Sequence, residues 1–113
     1  MDSVSSFFTK HNLQPSNILI RTESVSEEEE GGRLRLLLSD FGYACRCDDQ
    51  EDSQLEGAVG SPGFYAPEMF LSKNGYDGRL VDVWSMGVIF VEMMLGVQVS
   101  VFLNYCFGYH QSI

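Results

Sequence analysis

Apolar positions form short runs near the start of the chain. Residues 7–20 begin and end with such runs, and Pro15 lies between them, where it removes a backbone donor and fixes the backbone. This pattern predicts a strand, a loop and a second strand. Residues 33–38, Arg-Leu-Arg-Leu-Leu-Leu, alternate and then become wholly apolar, which predicts a strand that enters a core. The acidic run within residues 21–32 ends in two glycines and predicts an exposed loop.

One long helix is predicted in the second half of the chain. In residues 81–96, eleven of sixteen residues are apolar, and a narrow polar stripe at helical spacing contains Asp82, Ser85 and Glu92. A helix that is apolar on nearly all sides is expected to be buried on all sides. Gly96 is expected to cap its C-terminus.

Two further stretches give weaker patterns. Residues 97–105 alternate like a strand, and we predict a strand there. Residues 43–59 show neither periodicity nor an apolar face, which predicts a mobile loop. Residues 93–113 carry no formal charge, but Gly96 and the polar side chains among them argue against a membrane span.

The composition is that of one globular domain with an acidic surface. The chain has 113 residues, of which 44% are hydrophobic, and this argues against wholesale disorder. The net charge is -9, and residues 21–56 hold eleven acids and four bases. Such a chain lacks the basic surface of a nucleic-acid binder and is repelled by anionic membranes. We therefore expect neither nucleic acid nor a membrane as a partner.

The cysteines and the first residues bear on location. Cys45, Cys47 and Cys106 are odd in number, and the single residue between the first two does not match the spacing of structural zinc sites. Reduced thiols inside a cell are the simplest interpretation. The first eight residues contain no basic region followed by an apolar run. These observations predict a cytoplasmic or nuclear location.

Four short motifs follow one another between residues 12 and 87. They read Asn-Leu-Gln-Pro-Ser-Asn-Ile-Leu in residues 12–19, Asp-Phe-Gly in residues 40–42, Ala-Pro-Glu in residues 66–68 and Asp-Val-Trp-Ser-Met-Gly in residues 82–87. In this order they resemble the signature of a protein kinase. The residues before Ala-Pro-Glu, Gly-Ser-Pro-Gly-Phe-Tyr, resemble the serine/threonine type.

The resemblance implies an α+β fold that is a fragment of the kinase large lobe, with a short strand hairpin, an activation segment and a central buried helix. It divides the chain into an N-terminal tail of residues 1–6, a partial kinase domain of residues 7–96, and a tail of residues 97–113 without a recognisable match. The hairpin it implies encloses the acidic run, and its connection is longer than usual.

The catalytic loop departs from the pattern of an active kinase. The resemblance places Asn12 where the catalytic aspartate stands and Gln14 where a lysine stands. Lys10-His11 replaces the usual His-Arg, or else His11 is the family's histidine and one residue is deleted. An amide carries no charge and cannot act as a general base near neutral pH. The alternative interpretation of Asn12 is a loop amide that stabilises the turn.

The resemblance implies ATP and Mg²⁺ as cofactors, with Asn17 and Asp40 as metal ligands. A carboxylate at the end of a strand suits magnesium, which prefers oxygen ligands. From the residues alone, Asp40 is also explained by a turn in which its side chain bonds its own backbone.

Further residues receive roles from the resemblance. The peptide substrate is expected at Ser61, Pro62, Gly63 and Phe64, with Ser61 hydrogen-bonded to the two catalytic positions. Glu68 is expected to pair with a downstream arginine, but no arginine follows Arg79. Asp82 is expected to brace the backbone of the catalytic loop. Its alternative role is an N-cap at the positive end of the helix.

Three functions remain open at this stage. The first is a serine/threonine protein kinase by descent that is inactive as this chain, since the 113 residues contain no Gly-rich loop before the catalytic loop. The second is a pseudokinase that binds a protein partner or acts as a scaffold, which Asn12 and Gln14 favour. The third is a fragment without independent activity. For the first two functions, the expected partner is a protein substrate or another protein.

Overall fold

The computed structural model describes residues 6–23, 32–48 and 55–108. Its elements, in chain order, are β1 (Ser6–Thr9), a 3-10 turn (Pro15–Asn17), β2 (Ile18–Glu23), β3 (Arg33–Leu38), β4 (Cys45–Asp48), α1 (Glu68–Leu71), α2 (Gly78–Leu95) and α3 (Val99–Gly108). Short antiparallel strand pairs followed by helices confirm the predicted α+β class.

The hairpin of β2 and β3 forms as predicted, with Ile18 opposite Leu38 and Glu23 opposite Arg33. Its connection, residues 24–31, lies outside the described residues. Every residue of β3 is exposed, so the prediction that this strand enters a core is wrong for the described chain. The leucines of β3 carry a core-type pattern but stay exposed, while Ile18 at the start of β2 packs against the cluster that contains Val88 and Ile89.

The segment after Asp-Phe-Gly is more ordered than its composition indicates. Strand β4 pairs with β1, placing Cys47 opposite Phe7, and Leu55 exchanges two backbone hydrogen bonds with Tyr76. The prediction of a loop throughout residues 43–59 is therefore wrong at these positions, while residues 49–54 lie outside the described part. The strand forms through partners far away in the sequence, which a local pattern does not reveal.

Asp77 caps the N-terminus of helix α2, because its side chain accepts from the backbone N–H of Arg79 at 2.9 Å. Hydrogen bonds from Arg79 hold the pKa of Asp77 below its usual value. The N-cap is thus Asp77 and not Asp82. Gly96 closes the helix with a left-handed φ of 66°, which confirms its predicted role.

Only one side of α2 is buried, so the prediction of burial on all sides is wrong. The buried positions are Gly78, Val81, Ser85, Val88 and Ile89. Apolar residues on the other sides are exposed: Val83, Met86, Phe90, Met93 and Met94.

Helix α3 replaces the strand predicted in residues 97–105, and that prediction is wrong. The Oε1 atom of Glu92 accepts from the backbone N–H of Ser100 at 2.8 Å and from its hydroxyl at 2.6 Å. These bonds satisfy a free N–H of the first helical turn. The start of α3 lies against Gly63, whose Cα faces the Ser100 carbonyl with no room for a side chain.

The buried apolar residues form two clusters. One contains Leu13, Phe64, Val88 and Ile89. The other contains Ala66, Met69, Tyr76 and Val81. Trp84, the only tryptophan of the chain, packs against both clusters. Among the described helices, none is both long and apolar enough to cross a membrane.

Candidate functional site

The loop after β1 is anchored on α2 by one carboxylate. Asp82 Oδ2 accepts from the Thr9 hydroxyl at 2.9 Å and from the Lys10 backbone N–H at 2.7 Å, and its Oδ1 accepts from the His11 N–H at 3.0 Å. Hydrogen bonds to a carboxylate are shorter and stronger than those between neutral groups. Asp82 therefore bonds the last residue of β1 and the first two residues of the loop that follows. The bracing role that the resemblance gives to Asp82 stays a prediction.

Asn12 lies at the centre of the loop and is buried. Its Oδ1 atom accepts from the Ser61 hydroxyl at 2.9 Å and from the Gln14 amide at 3.3 Å. The structure thus brings together three residues that the sequence assigned to catalysis and substrate binding. The preceding residue, His11, has a φ of 64°, a left-handed conformation that turns the chain toward Asn12.

Asn17 and Asp40 are brought close through their backbones. The Asn17 side chain donates to the Asn12 carbonyl at 3.0 Å, and the Asn17 carbonyl accepts from the backbone N–H of Ser39 at 2.9 Å. Asp40 is exposed and has a φ of 58°, and its Oδ1 accepts from the Gly42 N–H at 3.2 Å. Carboxylate and amide oxygens fit a hard cation such as Mg²⁺. Within the described ranges no group of three His, Cys, Asp or Glu side chains is placed to hold a metal.

Lys10 is buried next to the backbones of Asn12 and Asp40. Its ammonium donates to the Asp40 carbonyl at 2.6 Å and to the Asn12 carbonyl at 3.0 Å, and it lies 5.2 Å from the centre of the Phe41 ring. Burial lowers the pKa of Lys10, although the carboxylates of Asp40 and Asp82 oppose the shift. No pattern in the sequence indicates these contacts of Lys10, because a lysine is ordinarily exposed.

His11 faces the segment that follows Asp-Phe-Gly. Its Nδ1 lies 3.1 Å from the Tyr43 carbonyl, to which it donates as the protonated nitrogen, and 3.6 Å from the Cys45 sulfur. Burial, with a smaller contribution from neighbouring Cys47, raises the pKa of the Cys45 thiol to about 11. Cys45 is therefore protonated at neutral pH and is not a nucleophile.

The predicted substrate segment, residues 61–64, contacts the Asn12 loop at Ser61 and helix α2 at Phe64. Ser61 contacts Asn12, and Pro62 is exposed. Gly63 is buried under α3, while Phe64 belongs to the core and its carbonyl accepts from the Ser85 hydroxyl at 2.9 Å. Of the four predicted residues, Pro62 presents its side chain to solvent.

Glu68 opens helix α1 and is half-buried. The helix is a single turn in which the Ser72 N–H bonds the Glu68 carbonyl at 3.0 Å. The predicted pairing of Glu68 with a later arginine has no partner in the sequence after Arg79.

Comparison with known proteins agrees with this geometry. Residues 6–103 match the sequence profile of the protein kinase domain. The chain belongs to the protein kinase family.

Several relatives of this kinase-family chain are serine/threonine kinases by name. It is 38% identical over 86 residues to CBL-interacting serine/threonine-protein kinase 15 of Arabidopsis thaliana, covering 75% of this chain and 18% of the relative. It is 37% identical over 101 residues to CBL-interacting protein kinase 21 of Oryza sativa subsp. japonica, covering 85% and 17%. A probable serine/threonine-protein kinase HAL5-like of Vanderwaltozyma polyspora is 36% identical over 88 residues, covering 75% and 10%. The chain thus spans less than a fifth of the length of these relatives.

In this kinase-family chain, Gly60 of the activation segment lies close to the backbone of the catalytic loop. A Cβ there would lie 2.5 Å from the His11 carbonyl oxygen, and its φ is 115°. We expect Gly60→Ala to lower the free energy of unfolding by about 3 kcal/mol, because it combines backbone strain with a clash against a braced loop. Chemical denaturation with the linear extrapolation method measures this loss.

Gly57→Ala is the matched control for that substitution. Its φ of 80° is also left-handed, but a Cβ there meets nothing within 4 Å. We expect a loss of about 1–2 kcal/mol from the backbone alone. Equal losses for the two variants would contradict the close approach of Gly60 to His11.

Proposed function

We propose that this chain is the catalytic-loop and activation-segment part of a serine/threonine protein kinase, and that it transfers no phosphate with the side chains it has. The observation that carries this proposal is the environment of Asn12. Its side-chain oxygen receives the Ser61 hydroxyl and the Gln14 amide at the centre of the loop. In the family the residue at this place is an aspartate that accepts the proton of the substrate hydroxyl.

An amide at position 12 removes the general base. The Asn12 oxygen can still accept hydrogen bonds, but it cannot take up a proton near neutral pH. General-base catalysis typically contributes about 10²–10⁴ in rate. Gln14 in place of lysine also removes a positive charge that would stabilise the transferring phosphoryl group. Both changes act on the chemical step and leave the loop backbone in place.

The contacts of Lys10 and His11 support this register of the loop. The two residues precede Asn12 directly, and both of their backbone N–H groups bond to Asp82. The His11 side chain faces Tyr43 and Cys45 in the activation segment. This orientation favours the interpretation in which Lys10-His11 replaces His-Arg without a deletion.

Asn17 and Asp40 are the residues that would hold Mg²⁺, which neutralises developing charge on the phosphates of ATP when bound. Asp40 is exposed beside its turn, and its second carboxylate oxygen is available for a cation. Asn17 is fixed by its bond to the Asn12 carbonyl and by the bonds that its own carbonyl receives from Ser39. The oxygen chemistry of both residues fits this role.

A second candidate function is a binding module for a protein partner. The segment around Pro62 keeps its shape without a general base, because the Ser61 hydroxyl, the Phe64 carbonyl and the Gly60 carbonyl each have a hydrogen-bond partner. An exposed Pro62 on a braced backbone offers a preformed surface to an extended peptide. Peptide binding without phosphoryl transfer would distinguish this function from that of an active kinase.

We place the protein in the cytoplasm or nucleus. All three cysteines are free thiols, and two of them, Cys45 and Cys47, lie in the same strand next to the catalytic loop. Reduced cysteines are typical of these compartments.

This chain alone is expected to transfer no phosphate from ATP to a serine- or threonine-containing peptide. The reason is the missing general base at Asn12 together with the missing charge at Gln14. Transfer of the γ-phosphate to peptide, measured with radiolabelled ATP, is the test. Turnover above a no-protein control that disappears in Asp40→Ala would refute the proposal. Turnover that persists unchanged in Asp40→Ala would identify a contaminating kinase instead.

A further inference from the structure

Strand β4 carries two thiols on one of its faces. Cys45 and Cys47 are separated by a single residue, and side chains two positions apart on a strand lie on the same side. Cys47 is 2% exposed and Cys45 is half-buried, while Arg46 between them is exposed. Both cysteines are free thiols. The strand therefore places two sulfur atoms together on its inner face.

The two sulfurs are close enough to interact with each other. Burial is the main cause of the raised pKa of Cys45, and Cys47 adds to it through its charge and a side-chain hydrogen bond. On its other side the Cys45 sulfur lies 3.6 Å from Nδ1 of His11, but that nitrogen donates to the Tyr43 carbonyl and is not free to bind a metal. The inner face of β4 thus offers two sulfur ligands, in agreement with the lack of a three-ligand metal group in the described part of the chain.

A pair of thiols without a third ligand selects among metal ions. Thiolates are soft ligands that favour soft cations such as Cu⁺, and this ion is satisfied by two of them. Zn²⁺ takes four ligands in structural sites, so a pair of thiols suits it poorly. Metal binding displaces the thiol protons and does not require a nucleophilic thiol. The Asp82 carboxylate disfavours a bare thiolate at Cys45, and a bound cation offsets that repulsion.

We propose that Cys45 and Cys47 form a two-coordinate site for Cu⁺ on the inner face of β4, beside His11 of the catalytic loop. Each S–H bond releases its proton to the solvent and each sulfur forms a bond to the ion. No electron is transferred, and the ion remains Cu⁺. The inference does not rest on phosphoryl transfer or on the role of Asn12.

Competition with the Cu⁺ chelator bathocuproine disulfonate tests the site in the full 113-residue chain, kept reduced and free of oxygen. Cys106 is exposed on α3, so Cys106→Ser is the matched control. We expect the parent chain and Cys106→Ser each to withdraw one Cu⁺ per chain from the chelator. Failure of the parent chain to withdraw Cu⁺ would overturn the proposal. Loss of binding in Cys106→Ser would also overturn it, because Cys106 would then be a ligand.

Replacement of either proposed ligand is expected to weaken binding strongly. Loss of an outer contact to a metal ligand typically costs about 10–100-fold in affinity, so loss of a ligand in Cys45→Ser or Cys47→Ser is expected to cost about 100-fold or more. Because Cys47 is buried, Cys47→Ala is a second variant that adds no hydroxyl to the interior. Unchanged affinity in a variant at either position would overturn the proposal.

A further measurement needs no change at either ligand, so it decides the matter even if those variants do not fold. Cys106→Ser leaves Cys45 and Cys47 as the only cysteines of the chain. X-ray absorption at the copper edge is expected to show Cu⁺ with two sulfur neighbours in a chain that stays monomeric. A higher coordination number, or a dimer that forms only with Cu⁺, would overturn the site within one chain. Displacement of Cu⁺ by excess Zn²⁺ would likewise overturn it, because Zn²⁺ requires more ligands.

Discussion

A fusion of this chain to the nucleotide-binding lobe of a close relative is expected to gain about 10²-fold or more in kcat when Asn12→Asp and Gln14→Lys are introduced together. The first change returns a general base to the atom position that now accepts from the Ser61 hydroxyl. The second returns a positive charge to position 14, where the Gln14 amide now lies 3.3 Å from the Asn12 oxygen. Steady-state transfer of phosphate to a serine-containing peptide measures the gain.

Single variants and one metal-site variant control this experiment. Asp40→Ala in the repaired fusion is expected to abolish the gain, because the phosphoryl group loses the cation that Asp40 would hold. Gln14→Lys alone is expected to give little of the gain, since the general base is still missing. Equal kcat values for the parent fusion and the double variant, with both folded and binding ATP, would show that Asn12 does not occupy the position of the catalytic aspartate.

Asp82→Ala is expected to lower the free energy of unfolding by about 3–5 kcal/mol, because it leaves the backbone N–H groups of Lys10 and His11 without their acceptor. These two groups lie 2.7 and 3.0 Å from the carboxylate. The Thr9 hydroxyl keeps the Gly78 carbonyl as an acceptor at 2.5 Å. Chemical denaturation of the chain measures the loss, and amide exchange at Lys10 and His11 locates it. A loss confined to those amides, without a change in global stability, would mean that the loop opens separately from the core.

Asp77→Ala is a matched control, since it removes the same charge from the start of the same helix. The Asp77 side chain caps α2 and pairs with the exposed Arg79 at 2.8 Å, outside the catalytic loop. We expect a loss of about 1 kcal/mol from the missing cap. An effect as large as that of Asp82→Ala would contradict the bracing role of Asp82.

Local signals predicted the elements whose causes are local. The end of α2 follows from Gly96, and strands β2 and β3 follow from the apolar runs at the end of residues 7–20 and in residues 33–38. Helix α3 was missed because Glu92, eight residues before Ser100, supplies the acceptor for its first turn. Alternation of apolar residues in a short segment does not reveal such a partner.

The polar stripe of α2 faces the rest of the protein and not the solvent. Asp82 bonds the catalytic loop, Ser85 bonds the Phe64 carbonyl and Glu92 bonds the start of α3, so the polar side chains of this helix face the rest of the described chain. The apolar residues on its other sides are the exposed ones. Periodicity identified the stripe correctly, but the direction in which a stripe faces is set by tertiary contacts.

The motifs in the sequence predict the residues of the candidate site, but they do not predict the contacts that hold those residues in place. Asn12, Asn17 and Asp40 stand at fixed spacings within recognisable motifs, and their catalytic and metal roles stay predictions. The contacts of Lys10 depend on a carbonyl 30 residues away, which no spacing rule indicates. Burial of an ammonium is a property of the folded chain, and lysine in a sequence gives no sign of it.

Trp84 packs against both core clusters, so its fluorescence can be used to follow their unfolding. Its side chain packs against the cluster that contains Leu13 and Phe64 and also against the one that contains Tyr76 and Val81. The chain has no second tryptophan. Water that reaches either cluster changes the surroundings of the same fluorophore. The emission spectrum of Trp84 therefore reports whether the catalytic loop and the activation segment lose their packing in one step or in two.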